Sequence, residues 1–199
     1  MKDEGYIKFN CTWIEEELSD SSIIAELNTR RQELYNKQLI GAYADGIGYG
    51  NISCRLADDS FLITGTATGN IFRLTDIHYT RVSGFDIANN AVTCRGPIKA
   101  SSESLTHAII YASLPQVNAV VHIHNHELWQ KLLNKAPTAS EEVAYGTPEM
   151  AVEIKRLLKS IDTGEEKILV MAGHEDGLIS YGRDLAEAAN ILLGHPKTR

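Results

Sequence analysis

The run Val120-Val121-His122-Ile123-His124 constrains this chain more than any other stretch. Its apolar, β-branched character predicts a buried strand. Side chains alternate faces along a strand, so His122 and His124 point the same way, about 6–7 Å apart at Cα, while Val121 and Ile123 face the other side and suit a core. Two imidazoles on one face can grip a metal ion in an open site of the kind that supports hydrolytic or carbonyl chemistry. The same pair can also be strand-end histidines that only hydrogen-bond, so the rest of the chain has to decide.

The chain has 199 residues, 43% of them hydrophobic, enough for one compact domain with a sizeable core. A net charge of −7 without a Lys/Arg cluster makes nucleic acid and anionic membranes poor partners. No apolar run is long enough to span a bilayer, and the charged N-terminal stretch 1–10 lacks the apolar core of a signal peptide. Cys11, Cys54 and Cys94 show no C-x-x-C spacing, so free thiols in a reducing, cytoplasmic setting are expected.

Within 12–42, Ile24, Leu27, Leu34, Leu39 and Ile40 fall at helical spacing, and Ser19, Asp20 and Ser21 are N-cap candidates. A short helix followed by a longer one is therefore expected. The 42–51 segment is rich in glycine, but its Gly46-x-Gly48-x-Gly50 run lacks the spacing and following helix of a dinucleotide fingerprint. Strands are expected at 51–56, 61–64, 80–86 and 91–95, with Asn89-Asn90 turning the last pair into a hairpin. A helix at 102–112 precedes the strand 117–124, a short helix at 127–133, a loop at 137–142 and an amphipathic helix at 148–160. Strands at 167–172 and 177–180 and a helix at 183–193 complete the pattern. The expected fold class is α/β: a single layered domain over residues 1–199, with a central, mainly antiparallel sheet flanked by helices.

Two further segments bear on the histidines. In Lys99-Ala100-Ser101-Ser102-Glu103, either serine can cap the helix that follows, and Glu103 is expected in its first turn, where an acid complements the helix dipole without any active site. In Met171-Ala172-Gly173-His174-Glu175, a strand ends in a histidine placed to complete a three-imidazole site. His107, one turn after Glu103, reads as a packing or supporting residue rather than a ligand. His126 continues the alternation of His122 and His124 but lies past the expected strand end, and Tyr145 can line the site or serve the core.

Taken in order, Gly50-Asn51-Ile52-Ser53, Lys99 to Glu103 with His107 and Tyr111, Ala119 to His124, Tyr145-Gly146-Thr147 and Gly173-His174 resemble the class II aldolase/adducin family, the group that includes fuculose-1-phosphate aldolase. The likeness runs from about residue 27 to 193. It implies three zinc ligands in His122, His124 and His174, a catalytic acid/base in Glu103, and a phosphate-holding region made of Asn51, Ser101, Ser102 and the 64–69 loop with Thr64, Gly65 and Thr66. It also implies a homotetramer with active sites at subunit interfaces. Ala100 stands where many members have proline, and Glu142 where aldolase members carry a tyrosine that assists the aldehyde half of the reaction.

The chemistry of these residue types agrees with those roles. Three neutral imidazoles leave Zn²⁺, or another divalent transition metal, with an open position. A ketose held there would be polarised, and the enediolate formed on carbon–carbon cleavage stabilised as an anion, with Glu103 shuttling the proton. The expected function is that of a metal-dependent aldolase, a carbon–carbon lyase of carbohydrate metabolism that cleaves a small ketose 1-phosphate. A methylthioribulose-1-phosphate dehydratase or a sugar-phosphate epimerase would use the same machinery. The opposing class, a non-catalytic adducin-like assembly module, has no need of three converging imidazoles and a carboxylate.

Overall fold

A computed structural model describes residues 6–162 and 165–195 of the chain. Residues 1–5 of the charged N-terminal stretch lie outside them. In chain order the elements are β1 (Asn10–Ile14), α1 (Ser21–Asn36), β2 (Gly41–Ala42), β3 (Gly48–Tyr49), β4 (Asn51–Arg55), β5 (Phe61–Thr64), β6 (Tyr79–Asp86) and β7 (Ala91–Arg95). They continue as α2 (Ser104–Ser113), β8 (Ala119–His124), α3 (His126–Leu132), β9 (Thr138–Ala139), α4 (Pro148–Ser160), β10 (Ile168–Met171), β11 (Gly177–Gly182) and α5 (Leu185–Leu193).

Nine strands form one sheet in the order β1-β7-β6-β5-β4-β8-β11-β10-β9, and β2 with β3 forms a separate ribbon. Within the nine-stranded sheet every neighbouring pair is antiparallel except the two outermost, β1–β7 and β10–β9. β8 lies inside the sheet between β4 and β11 with all six residues buried, so its alternation is written in two cores rather than in core and solvent. Val120 joins the apolar cluster under α2 and α4, together with Leu105, Ile109, Met150 and Ile154. Val121 and Ile123 join the opposite cluster, under α1 and α5, with Leu27, Leu34, Ala188 and Leu192. Burial of each such side chain is worth about 1.5–3 kcal/mol, which fixes the register of β8. His122 and His124 are thereby turned to the α2 side.

α4 keeps the expected bounds because its signals agree: Met150, Ala151, Ile154, Leu157 and Leu158 form one buried stripe, Thr147 accepts the Met150 N–H at its start, and Pro148 occupies the first turn. Elsewhere the structure corrects the expectation. Residues 12–14, expected within the helical stretch, instead belong to β1, which pairs in parallel with β7. Leu39 and Ile40 are buried but not helical, since α1 ends before Gln38, whose φ of 57° breaks the helix. The loop at 137–142 contributes the short edge strand β9. Glu103 is the residue before α2 rather than in its first turn, and neither Ser101 nor Ser102 caps that helix with its side chain.

Candidate active site

The sheet brings the three histidines together. β11 runs between β8 and β10, and the turn after β10 carries His174 back over the start of β11, where Gly177 pairs with His124. That turn needs a glycine at 177, because a Cβ there would stand 2.9 Å from the His174 carbonyl oxygen and 3.1 Å from its ring. The ring centroids lie 5.0 Å apart for His122–His124, 5.0 Å for His122–His174 and 4.6 Å for His124–His174. One ligand nitrogen from each ring comes within 4.8 Å of the others, and all three residues are buried. Burial, reinforced by His174, holds the His122 imidazole well below its ordinary range, so it is neutral.

The Glu103 carboxylate, 1% exposed, faces the triad with Oε1 3.6 Å from His174 Nδ1. The Tyr145 ring stacks on His174 at 4.5 Å, which places Tyr145 at the site, whereas Glu142 is exposed. Gly50, with φ of 77°, turns the chain so that Asn51 pairs with His122 across β4 and β8. The Asn51 amide lies 3.4 Å from His122 Nδ1. His122 Nε2 is buried with no hydrogen-bond partner, as is Asn51 Oδ1. A neutral imidazole nitrogen buried without a partner, beside two more imidazoles, is the donor set that suits a divalent transition metal.

A cleft opens beside the triad, lined by His122, His174, Glu103, Tyr145 and Asn51, by Ser101 and Ser102, and by two glycine-rich segments, 48–50 and 65–69. The 65–69 loop is stitched to the 99–103 segment by a Gly65–Ala100 bridge and by the Thr66 N–H on the Lys99 carbonyl at 2.9 Å. Gly65, Thr66, Asn51, Ser101 and Ser102 therefore reach one cavity. Thr64 does not: its hydroxyl accepts the Ile52 N–H at 3.3 Å inside the sheet.

His107 stands behind this site, where Ser53 Oγ meets both its Nδ1 and the Tyr111 hydroxyl at 2.7 Å. Burial keeps its imidazole neutral too. His126 begins α3 outside the triad, its Nδ1 2.7 Å from Asp176 Oδ1. The three thiols are free and take no part in the triad. Two aromatic contacts were not legible in the sequence. The Tyr43 hydroxyl lies 2.6 Å from His124 Nδ1, and the Tyr49 ring stacks on His124 at 5.2 Å. Both tyrosines sit in the glycine-rich 42–51 segment, whose composition points to a turn and not to what the turn carries.

A family model described as Class II Aldolase and Adducin N-terminal domain matches residues 35–194. Among curated proteins, the 3-oxo-tetronate 4-phosphate decarboxylase of Haemophilus influenzae is 29% identical over 163 residues, covering 72% of this chain and 71% of that protein. The L-fuculose phosphate aldolase of Methanocaldococcus jannaschii is 26% identical over 170 residues, covering 79% and 82%. Among solved structures, an L-fuculose 1-phosphate aldolase shares the fold with a TM-score of 0.68 at 21% identity, over 88% of this chain and 82% of that one. A sugar-phosphate aldolase from Thermotoga maritima does so with a TM-score of 0.66 at 20% identity, over 87% and 91%.

Proposed function

Because the chain belongs to the class II aldolase and adducin family, we propose that it is a divalent-metal-dependent lyase that cleaves a small ketose 1-phosphate into dihydroxyacetone phosphate and an aldehyde. The observation that carries this reading is the buried triad of His122, His124 and His174 beside a cleft that also holds the Glu103 carboxylate. A divalent ion held by these three imidazoles, zinc or a transition-metal neighbour, would polarise the ketose carbonyl and offset the negative charge that grows as the carbon–carbon bond breaks. Glu103 would deliver a proton to the carbon that keeps the bonding electron pair, and would remove it in the direction of synthesis. Asn51, Thr66, Ser101 and Ser102, with the backbone amides of residues 67–69, would hold the phosphate. A homotetramer in the cytoplasm completes this reading.

The decarboxylase relative favours a second reading. Loss of carbon dioxide from a 3-oxo acid leaves an electron pair on the carbon beside a carbonyl, so the same triad and the same proton donor would serve.

Metal content per chain, measured on protein purified without chelator, and turnover of a ketose 1-phosphate test the assignment together. Glu103→Gln is expected to retain the metal and lose turnover by about a hundredfold or more, and His124→Ala to lose both. Equal metal content and activity in the two variants would overturn the roles. Carbon dioxide released from a 3-oxo acid phosphate, with no aldehyde formed from the ketose, would establish the second reading instead.

A further inference from the structure

Arg31 is a buried charge that the proposed reaction leaves unused. It lies on the inner stripe of α1 with Ile24, Leu27 and Leu34, where helical spacing asks for another apolar residue, and it is 2% exposed. Its guanidinium donates from Nη2 to the carbonyls of Thr68 at 3.2 Å and Gly69 at 3.0 Å, and from Nη1 to the carbonyl of Phe72 at 3.0 Å. Its face lies over the Tyr35 ring, 4.4 Å from the centroid. None of the ion pairs among the described residues includes it. A guanidinium keeps its proton in proteins, and a buried charge without a counter-charge is costly.

Thr68 and Gly69 line the cleft and Arg31 does not, so the loop stands between the guanidinium and the cavity. In a planar trans peptide the carbonyl and the following N–H point in opposite directions. With the Thr68 and Gly69 carbonyls on Arg31, the amides of Gly69 and Asn70 face away from it. Among the described residues no lysine or arginine lines the cleft. Lys8 is not among the lining residues; its ammonium lies 3.9 Å above the ring of Tyr145, which stacks on His174.

We propose that Arg31 is the positioning residue and fixed counter-charge for a substrate phosphate. From behind the 65–69 loop it holds two carbonyls back, leaves the Gly69 amide turned toward the cleft, and supplies the positive charge that the lining lacks. This rests on the sugar-phosphate reading above. Arginine suits the task because its rigid fork serves three carbonyls at once, whereas lysine would keep the charge and lose the fork. Burial also removes the charge from salt screening and from competing surface anions.

The test is the dissociation constant of inorganic phosphate for the metal-loaded full chain, measured for the wild type, Arg31→Gln and Arg31→Lys. Metal content and near-ultraviolet circular dichroism serve as folding controls. Arg31→Gln is expected to weaken phosphate at least about tenfold, and Arg31→Lys, which keeps the charge and loses the fork, by an intermediate factor of about threefold. Equal affinity in all three proteins, or equal losses in both variants, would overturn the counter-charge. The wild type alone gives a second readout that no folding defect can confuse. Between about 0.05 M and about 0.5 M potassium chloride its phosphate affinity is expected to change less than about threefold, since the charge is buried; a fall of more than about tenfold would place the counter-charge on the exposed rim and overturn the proposal. A wild type that binds no phosphate at all would end the sugar-phosphate reading and this inference together, whereas tight binding indifferent to Arg31 would end the inference alone.

Discussion

His124 keeps Nδ1 within 2.6 Å of the Tyr43 hydroxyl, which decides which of its nitrogens is left for a metal. If Nδ1 carries the proton and donates it to Tyr43, the Nε2 lone pair is free to ligate and the ring is fixed in orientation. Tyr43→Phe removes this bond and keeps the ring that packs against Tyr49 at 4.7 Å. It is expected to weaken zinc binding about tenfold, read by competition with a chromophoric chelator, while the melting temperature of the metal-free protein stays unchanged. Unaltered affinity would show that the hydroxyl does not set the tautomer. At this scale the sequence was legible where spacing alone fixes direction: His122 and His124 share a face because a strand has a period of two. It was not legible where a partner comes from afar. Tyr43 reaches His124 across 81 residues of chain, and Thr64, which the family likeness places at the phosphate, spends its hydroxyl on the backbone of β4.

Elements were legible when local signals agreed and hidden when pairing was remote. β5, β7 and α4 have the bounds that their sequences predict, whereas β1 owes its conformation to β7, a partner no local pattern reveals. The start of α5 shows how much a few side chains can fix locally. The Asp184 carboxylate accepts the Glu187 N–H at 2.7 Å, and Glu187 in turn accepts the Lys167 ammonium at 2.6 Å and the Arg183 N–H at 2.6 Å. Lys167 first, and then the Arg183 N–H, pull the Glu187 carboxyl from its ordinary 4.5 to about 2. A carboxylate depressed by folding stabilises the folded state above its unfolded value and loses that contribution as the pH falls through the folded one. Glu187→Gln is therefore expected to lower the melting temperature by about 2–4 °C at pH 7, with the difference from wild type closing between about pH 4.5 and about pH 2. A gap that is the same at both ends of this window would mean that the carboxylate's charge contributes nothing there.

At the scale of the whole molecule, strand order was the part that the sequence concealed. The alternation of the strands and the two apolar faces follow from periodicity, but nothing local says that β4 and β11 should flank β8. That arrangement is what sets His174, some fifty residues further along the chain, against His122 and His124. A site assembled from such distant segments exists in the folded chain and not in the unfolded one, so any ion it binds must stabilise the fold. At a free metal concentration about a hundredfold above the dissociation constant the gain is about 2.7 kcal/mol, equivalent to about 5–10 °C in the melting temperature of a chain this size. Stripping the protein with a chelator is expected to lower its melting temperature by that amount, and adding zinc back to restore it. His174→Ala removes one imidazole from the turn after β10 and leaves the strands in place, so its melting temperature should respond to neither treatment. A wild type equally indifferent to chelator and to zinc would show that the three histidines do not act as one metal site.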